Sequence, residues 1–188
     1  DGGNEQLAEI DLQPTDASYE DLAARFTAGS KLVLTHAGEE AARFQHDYIG
    51  TEHLLLGLVQ VPDSTAGRAL ERLGIALPNV RTAVEAILGH GEAAGQQRGL
   101  TPRALKSVQL AAAAAGGFGA DQIDTAHLLL GLAAEGSGIA AGVLESMGVS
   151  MELLRGSVEV ELGPAAGGWR PVWPSSLRPI VAPVQPPA

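Results

Sequence analysis

The chain has no cysteine among its 188 residues, which excludes disulfide staples, thiolate zinc sites and a cysteine nucleophile, and agrees with a cytoplasmic setting. Aromatic residues make up only 4%, so any core must be built from Ala, Leu and Val. No run approaches the roughly 18 consecutive apolar residues of a membrane span. The opening DGGNEQ lacks the basic-then-apolar order of a signal peptide, so neither a membrane partner nor a secretory leader is expected. Cations are few: Lys+Arg 12 against Asp+Glu 22 leaves a net charge of −10, which makes the chain a poor binder of phosphate backbones, and no nucleic-acid partner is expected. Three catalytic signatures are also missing. No Gly-rich loop ends in Gly-Lys-Ser/Thr to hold phosphates and Mg²⁺, no His-Glu-x-x-His could bind zinc, and no Gly-x-Ser-x-Gly elbow presents a nucleophile. We therefore expect no catalytic residue, no metal, no cofactor and no ATP hydrolysis.

Charge and proline divide what is there. Residues 1–24 carry seven acids (Asp1, Glu5, Glu9, Asp11, Asp16, Glu20, Asp21) and no Lys or Arg, which reads as an acidic arm, mostly disordered up to about Ala17. Residues 163–188 carry seven prolines, two arginines and no acid, a tail that favours extended polyproline geometry over helix. Both tryptophans, Trp169 and Trp173, lie in that tail, where two readings stay open: a solvated linker, or an extended segment at 168–181 anchored by one of them on a helical surface.

Between arm and tail the chain repeats itself. YIGTEHLLLGL at 48–58 matches QIDTAHLLLGL at 122–132, and 127 − 53 for the two histidines gives an offset of 74. The same offset places Thr27 on Thr101, Ala37 on Ala111, Leu70 on Leu144, Gly74 on Gly148, Arg81 on Arg155 and Leu88 on Leu162 without a gap. A constant register over this length indicates duplication. The expected units are a first repeat at 25–89, a Gly-rich linker at 90–99 and a second repeat at 100–162. Each reads as four helices. In the first repeat, Thr27 N-caps a helix over about 28–45, and Thr51 caps a short one bearing Leu54, Leu55 and Leu58. Ser64 or Thr65 opens a third helix ended by Gly74, and Asn79 caps a fourth ending near Leu88. The second repeat starts again at Thr101-Pro102, with proline at the first helical position. The predicted fold is all-α: eight helices in two pseudo-twofold-related four-helix repeats, without a strand.

Two features of the repeat bear on function. His53 and His127 sit at matched positions beside the leucines, a placement that suits an imidazole hydrogen-bonded within the fold better than a ligand. In Gly50-Thr51-Glu52-His53, Glu52 falls in the first turn of a helix, where unpaired N–H groups favour a carboxylate. Helix capping alone accounts for that position; the other reading is a rigidly held carboxylate ready for a guanidinium.

YIGTEHLLLGL and DTAHLLLGL, followed by the Leu-Gly-Ile and Met-Gly-Val helix ends, resemble the double Clp N-terminal repeat domain of the ClpA/ClpC unfoldases over about residues 25–162. The resemblance implies a bundle of eight helices that receives substrates and adaptor proteins, here without the ATPase modules, as a stand-alone Clp N-like protein or an excised N domain. It also implies, from the ClpC branch, recognition of phosphorylated arginine, with a threonine at the start of each repeat's first helix for the phosphate and the Gly-Thr-Glu-His glutamate for the guanidinium. By position the first repeat keeps Thr27 and Glu52, with Gly29 where a basic residue is common. The second keeps Thr101 and Arg103, with Ala126 in place of the glutamate. Counted repeat by repeat, neither set is complete, and the first, with Glu52, is the expected place for any phosphoarginine. The function implied is a non-catalytic protein-binding module that engages a substrate, an adaptor or a Clp unfoldase and so modulates regulated proteolysis. The alternative is a stress or sequestering protein that binds a peptide-like ligand in the groove between repeats.

Overall fold

The computed structural model describes residues 9–11, 16–92, 99–163 and 170–172. Helix α1 (Tyr19–Ala23) opens the described part of the bundle, capped by Ser18, whose hydroxyl accepts from the Asp21 N–H. The first repeat follows as α2 (Ala28–Arg43), α3 (Thr51–Val59), α4 (Thr65–Arg72) and α5 (Leu77–Leu88). The second is α6 (Pro102–Gly117), α7 (Thr125–Glu135), α8 (Ile139–Ser146) and α9 (Met151–Leu162). The architecture is all-α, as predicted.

Local chemistry explains most of the boundaries. Thr27 and Thr101 cap α2 and α6 by accepting from the Ser30 and Ala104 N–H groups, and Ser64 caps α4 by accepting from Gly67 N–H. Gly74 and Gly148 end α4 and α8 in the left-handed region at φ of 72° and 78°, and Ile75 and Val149 then fold back, their N–H groups bonded to Leu70 and Leu144 carbonyls. Two caps differ from the sequence reading. Gly50, not Thr51, is the N-cap of α3, and the Thr51 hydroxyl instead accepts from Ala140 N–H at the start of α8. Helix α5 begins at Leu77 after Ala76, ahead of Asn79, because Pro78 already holds helical φ in the first turn.

The acidic arm contributes more order than its composition suggests. Besides α1, which buries Leu22, Glu9–Asp11 form a strand β1 that pairs in parallel with β2 (Arg170–Val172), Glu9 opposite Arg170. This three-residue ladder is a correction to the strand-free expectation, and it lies outside the two repeats. The tail is extended at these three residues; Trp169 and Trp173 lie outside the described residues, as does most of the linker.

Helices α3 and α7 are the centre of the molecule. Every residue from Thr51 to Leu58, and from Thr125 to Glu135, is buried, the pattern of helices surrounded on all sides. One continuous core runs through both repeats, from Leu22 and Phe26 through Leu55, Leu56, Leu129 and Leu130 to Leu154 and Val158.

The repeats are joined by a reciprocal exchange. The segment before α2 lies against the start of α7: Thr27 N–H donates to Ile123 carbonyl and Ile123 N–H to Arg25 carbonyl. The segment before α6 lies against the start of α3: Thr101 N–H donates to Ile49 carbonyl and Ile49 N–H to Gly99 carbonyl. Positions 25, 27 and 49 plus 74 give 99, 101 and 123, so the two contacts are the same contact made twice. Thr51 and Thr125 extend the pattern, accepting from Ala140 and Ala66 N–H groups of the opposite repeat. Each repeat's first helix thus begins beside the other repeat's second helix.

Candidate functional site

This exchange decides where the candidate residues go. The contact between Ile49 and Thr101 forms a cleft of about 380 Å³ lined by Tyr48, Gly50, Thr51 and Glu52 of the first repeat and Thr101, Pro102, Arg103 and Ile139 of the second. Glu52, Thr101 and Arg103, which the sequence divided between two repeats, share one cleft. Thr27 does not join them. It sits at the equivalent contact, beside Asp124, Thr125 and the buried Ala126, its hydroxyl 3.2 Å from Asp124 Oδ1. A Cβ on Gly29 would lie 3.2 Å from Thr125 Cγ2. That second position therefore has neither the glutamate nor the arginine, and carries a carboxylate of its own.

Glu52 is held in an unusual way. It is 2% exposed, in the first turn of α3, and its side chain folds back over Gly50 at the helix N-terminus. Among the described residues Glu52 Oε1 has no hydrogen-bond partner. His53 Nδ1 lies 3.5 Å away but offers it no proton, because that nitrogen already accepts from Gly50 N–H. Burial pushes the Glu52 carboxyl above its ordinary range, opposed by its own backbone N–H and the Thr51 hydroxyl. A buried carboxylate oxygen without a donor is costly, and a cation entering the cleft would satisfy it.

Beneath Glu52 runs a chain of neutral imidazoles. Gly50 N–H donates to His53 Nδ1, so His53 carries its proton on Nε2 and donates to His46 Nδ1 at 3.0 Å. His46 in turn bonds the Gly89 backbone. Burial, reinforced by His46, lowers the His53 pKa to about 3, and burial lowers that of His46. Ligand atoms of His46, Glu52 and His53 come within 4.8 Å of one another, a spacing a metal ion could use. Both imidazole nitrogens that face each other are already spent on their mutual hydrogen bond, so the cluster works as a brace for Gly50 and α3. His127 repeats half of it, its Nδ1 accepting from Asp124 N–H.

On the other wall Thr101 and Pro102 open α6, and the Thr101 hydroxyl oxygen accepts from Ala104 N–H while its own proton remains to be donated. Arg103 is 58% exposed and its Nη1 donates to Glu135 Oε1 at 2.6 Å. The cleft therefore offers a buried carboxylate on one wall and a hydroxyl, a helix N-terminus and a guanidinium on the other. Such a pair of walls suits a ligand with a cationic and an anionic group close together. Tyr48, Pro102 and Ile139 supply apolar lining that the sequence reading missed. Only the cross-repeat contact reveals them, since Ile139 belongs to α8 of the second repeat.

These features define an all-α double-repeat domain with a composite cleft between its halves. The Clp repeat (R) N-terminal domain matches residues 25–115 and 99–168, and the chain belongs to that family. It is 42% identical over 139 residues to the negative regulator of genetic competence ClpC/MecB of Bacillus subtilis, covering 74% of this chain and 17% of that protein. It is 39% identical over 142 residues to the ATP-dependent Clp protease ATP-binding subunit ClpC of Staphylococcus aureus, covering 76% and 17%. The chain thus spans about a sixth of the length of these curated relatives. Among solved structures, the N-terminal domain of ClpD from Arabidopsis thaliana superposes with a TM-score of 0.64 at 22% identity, covering 79% of this chain and 99% of that one. A ClpV N-domain in complex with a VipB peptide gives 0.62 at 20% identity, covering 82% and 97%. At these identities the structures attest the fold alone.

Proposed function

We propose that the chain is a non-catalytic protein-binding module of Clp type whose inter-repeat cleft takes a phosphorylated arginine side chain on a protein substrate or adaptor, and so modulates regulated proteolysis by a Clp unfoldase in the cytoplasm. One observation carries this reading: Glu52 Oε1 is buried without a hydrogen-bond partner among the described residues, in a cleft it shares with Thr101 and Arg103. A guanidinium meets the carboxylate in planar, paired geometry, and the phosphate on it reaches the N-terminus of α6, the Thr101 hydroxyl and Arg103. The pseudo-equivalent position at Thr27 lacks both charged partners and is not part of the site. Similarity to ClpC proteins, whose N-terminal share this chain matches, supports the reading.

Calorimetry with a phosphoarginine peptide and its unmodified counterpart tests it. Glu52→Ala and Thr101→Ala are expected to weaken binding of the phosphorylated peptide to similar degrees, with Thr27→Ala leaving it intact and one peptide bound per chain. Loss confined to Glu52→Ala and Thr27→Ala would return the site to the first repeat alone. A second reading is favoured by the apolar lining at Tyr48, Pro102 and Ile139: a sequestering protein that takes a peptide-like ligand in the same cleft. Equal affinity for the two peptides would select it.

A further inference from the structure

We infer that Glu135 is a positioning residue of the cleft: one of its oxygens holds the turn that leads into helix α8 while the other pins Arg103 where an anion on the ligand meets it. The inference rests on the phosphoarginine reading for the identity of that anion. It begins from a difference between the repeats. In the first, α4 is capped by the Ser64 hydroxyl, which accepts from Gly67 N–H. The matched position in the second repeat is Gly138, which has no side chain to cap with, and the turn ahead of α8 is held from upstream: Glu135 Oε2 accepts from Ser137 N–H at 3.2 Å and Gly138 N–H at 2.8 Å. Gly138 is required for this, because a Cβ there would lie 3.0 Å from Glu135 Oε2 and would also collide with the Thr51 hydroxyl.

The arrangement leaves Glu135 Oε1 for Arg103, at 2.6 Å. Three positions have changed together between the repeats: Ser64, Val61 and Gly29 in the first stand where Gly138, Glu135 and Arg103 stand in the second. The carboxylate has a second oxygen, and it is used on Arg103, the one cation among the described residues that line the cleft. The Glu135 side chain is 1% exposed against 58% for Arg103, so the buried partner is fixed and the exposed one is held by it. One bond to Nη1 engages one of the five guanidinium N–H groups and leaves the others for a ligand. Ordering a long side chain before binding removes part of the entropic cost of binding, and the charge compensation by Glu135 is screened at a half-exposed guanidinium.

The Glu135→Gln variant separates the two roles. A glutamine oxygen still accepts from Ser137 and Gly138 N–H, but the amide then turns an NH₂ toward Arg103 and cannot hold it. We expect Glu135→Gln in the full chain to weaken binding of a phosphoarginine peptide by about three- to tenfold, to leave the unmodified peptide unchanged, and to add nothing in an Arg103→Ala background. Affinity for the phosphorylated peptide equal to or above that of the unsubstituted chain would overturn the inference, as would a loss undiminished by Arg103→Ala. If the unsubstituted chain shows no preference for the phosphorylated peptide, the phosphoarginine reading fails. The positioning claim is then read from the Arg103 Nε–H signal by NMR relaxation. An ordered guanidinium that becomes mobile in Glu135→Gln upholds it, and equal mobility in both overturns it.

Discussion

Gly50 carries no side chain because the space beside it belongs to Glu52: a Cβ there would collide with the carboxylate. Its N–H anchors the imidazole chain through His53 and His46, so the residue that makes room for Glu52 is also the one that the histidines brace. These imidazoles tie stability to pH. The folded chain holds His53 at about 3, against an ordinary 6.5, and burial lowers His46 and His127 as well. Between those values the unfolded chain binds a proton that the folded one refuses. For His53 the contribution to stability is therefore complete above about pH 6.5 and is lost as pH falls toward 3, at about 1.4 kcal/mol per pH unit, and His46 and His127 act in the same direction. Glu52 has the opposite sign, since a carboxyl raised by burial favours the folded state below its folded pKa and ceases to as pH rises through it. With three histidines against one carboxyl, urea midpoints should fall steadily from pH 7 to pH 5. A midpoint unchanged over that interval would show that the histidines accept protons without leaving their places.

At the scale of elements, the shared His-Leu-Leu-Leu-Gly-Leu segment has a packing reason. Gly57 of α3 and Gly131 of α7 are the points at which these central helices cross α2 and α6. A Cβ on Gly57 would strike the Val33 carbonyl and come within 3.1 Å of Ala37 N, and one on Gly131 would strike the Ser107 carbonyl and come within 2.7 Å of Ala111 N. Alanine would gain about 1 kcal/mol in helix propensity, yet the obstacles are backbone atoms that cannot swing aside. Overpacking of this kind costs about 1–3 kcal/mol, so Gly131→Ala should destabilise the chain by about 1–2 kcal/mol net, read as a lower urea midpoint. A stabilised variant would mean that α6 and α7 slide apart freely. The elements themselves were legible in the sequence because their causes are local. Thr27 and Thr101 cap, Gly74 and Gly148 terminate, and the leucines of α3 and α7 are too many for a surface helix. The caps that the sequence misplaces are those whose atoms answer to distant partners: Thr51 is drawn to Ala140 of the other repeat, leaving Gly50 as the cap. Glu135 was invisible for the same reason, since only the fold brings α7's last residue to Arg103.

For the molecule as a whole, duplication has a consequence that reading each repeat by itself obscures. The exchange of Arg25–Thr27 with Ile123, and of Gly99–Thr101 with Ile49, makes each candidate site a joint product of both repeats. Two positions that depart from the pattern implied by the resemblance, Ala126 in one repeat and Gly29 in the other, therefore fall at the same inter-repeat contact. Glu52, Thr101 and Arg103 share one cleft, whereas Gly29 and Ala126 both lie at the other contact, beside Thr27. A ligand bound in the proposed cleft would bridge the start of α3 and the start of α6, and stabilise whatever state keeps those two segments in contact. At a hundredfold excess over Kd, that amounts to about 2.7 kcal/mol. Since one core runs through both repeats, the gain should appear as slowed hydrogen exchange in both segments, around 49–56 and 99–107, together with a single, shifted unfolding transition. Around Thr27 and Asp124, exchange should slow no more than this global gain requires. Protection confined to one repeat, or a transition that splits in two when ligand is added, would show that the halves open independently and that the cleft does not join them.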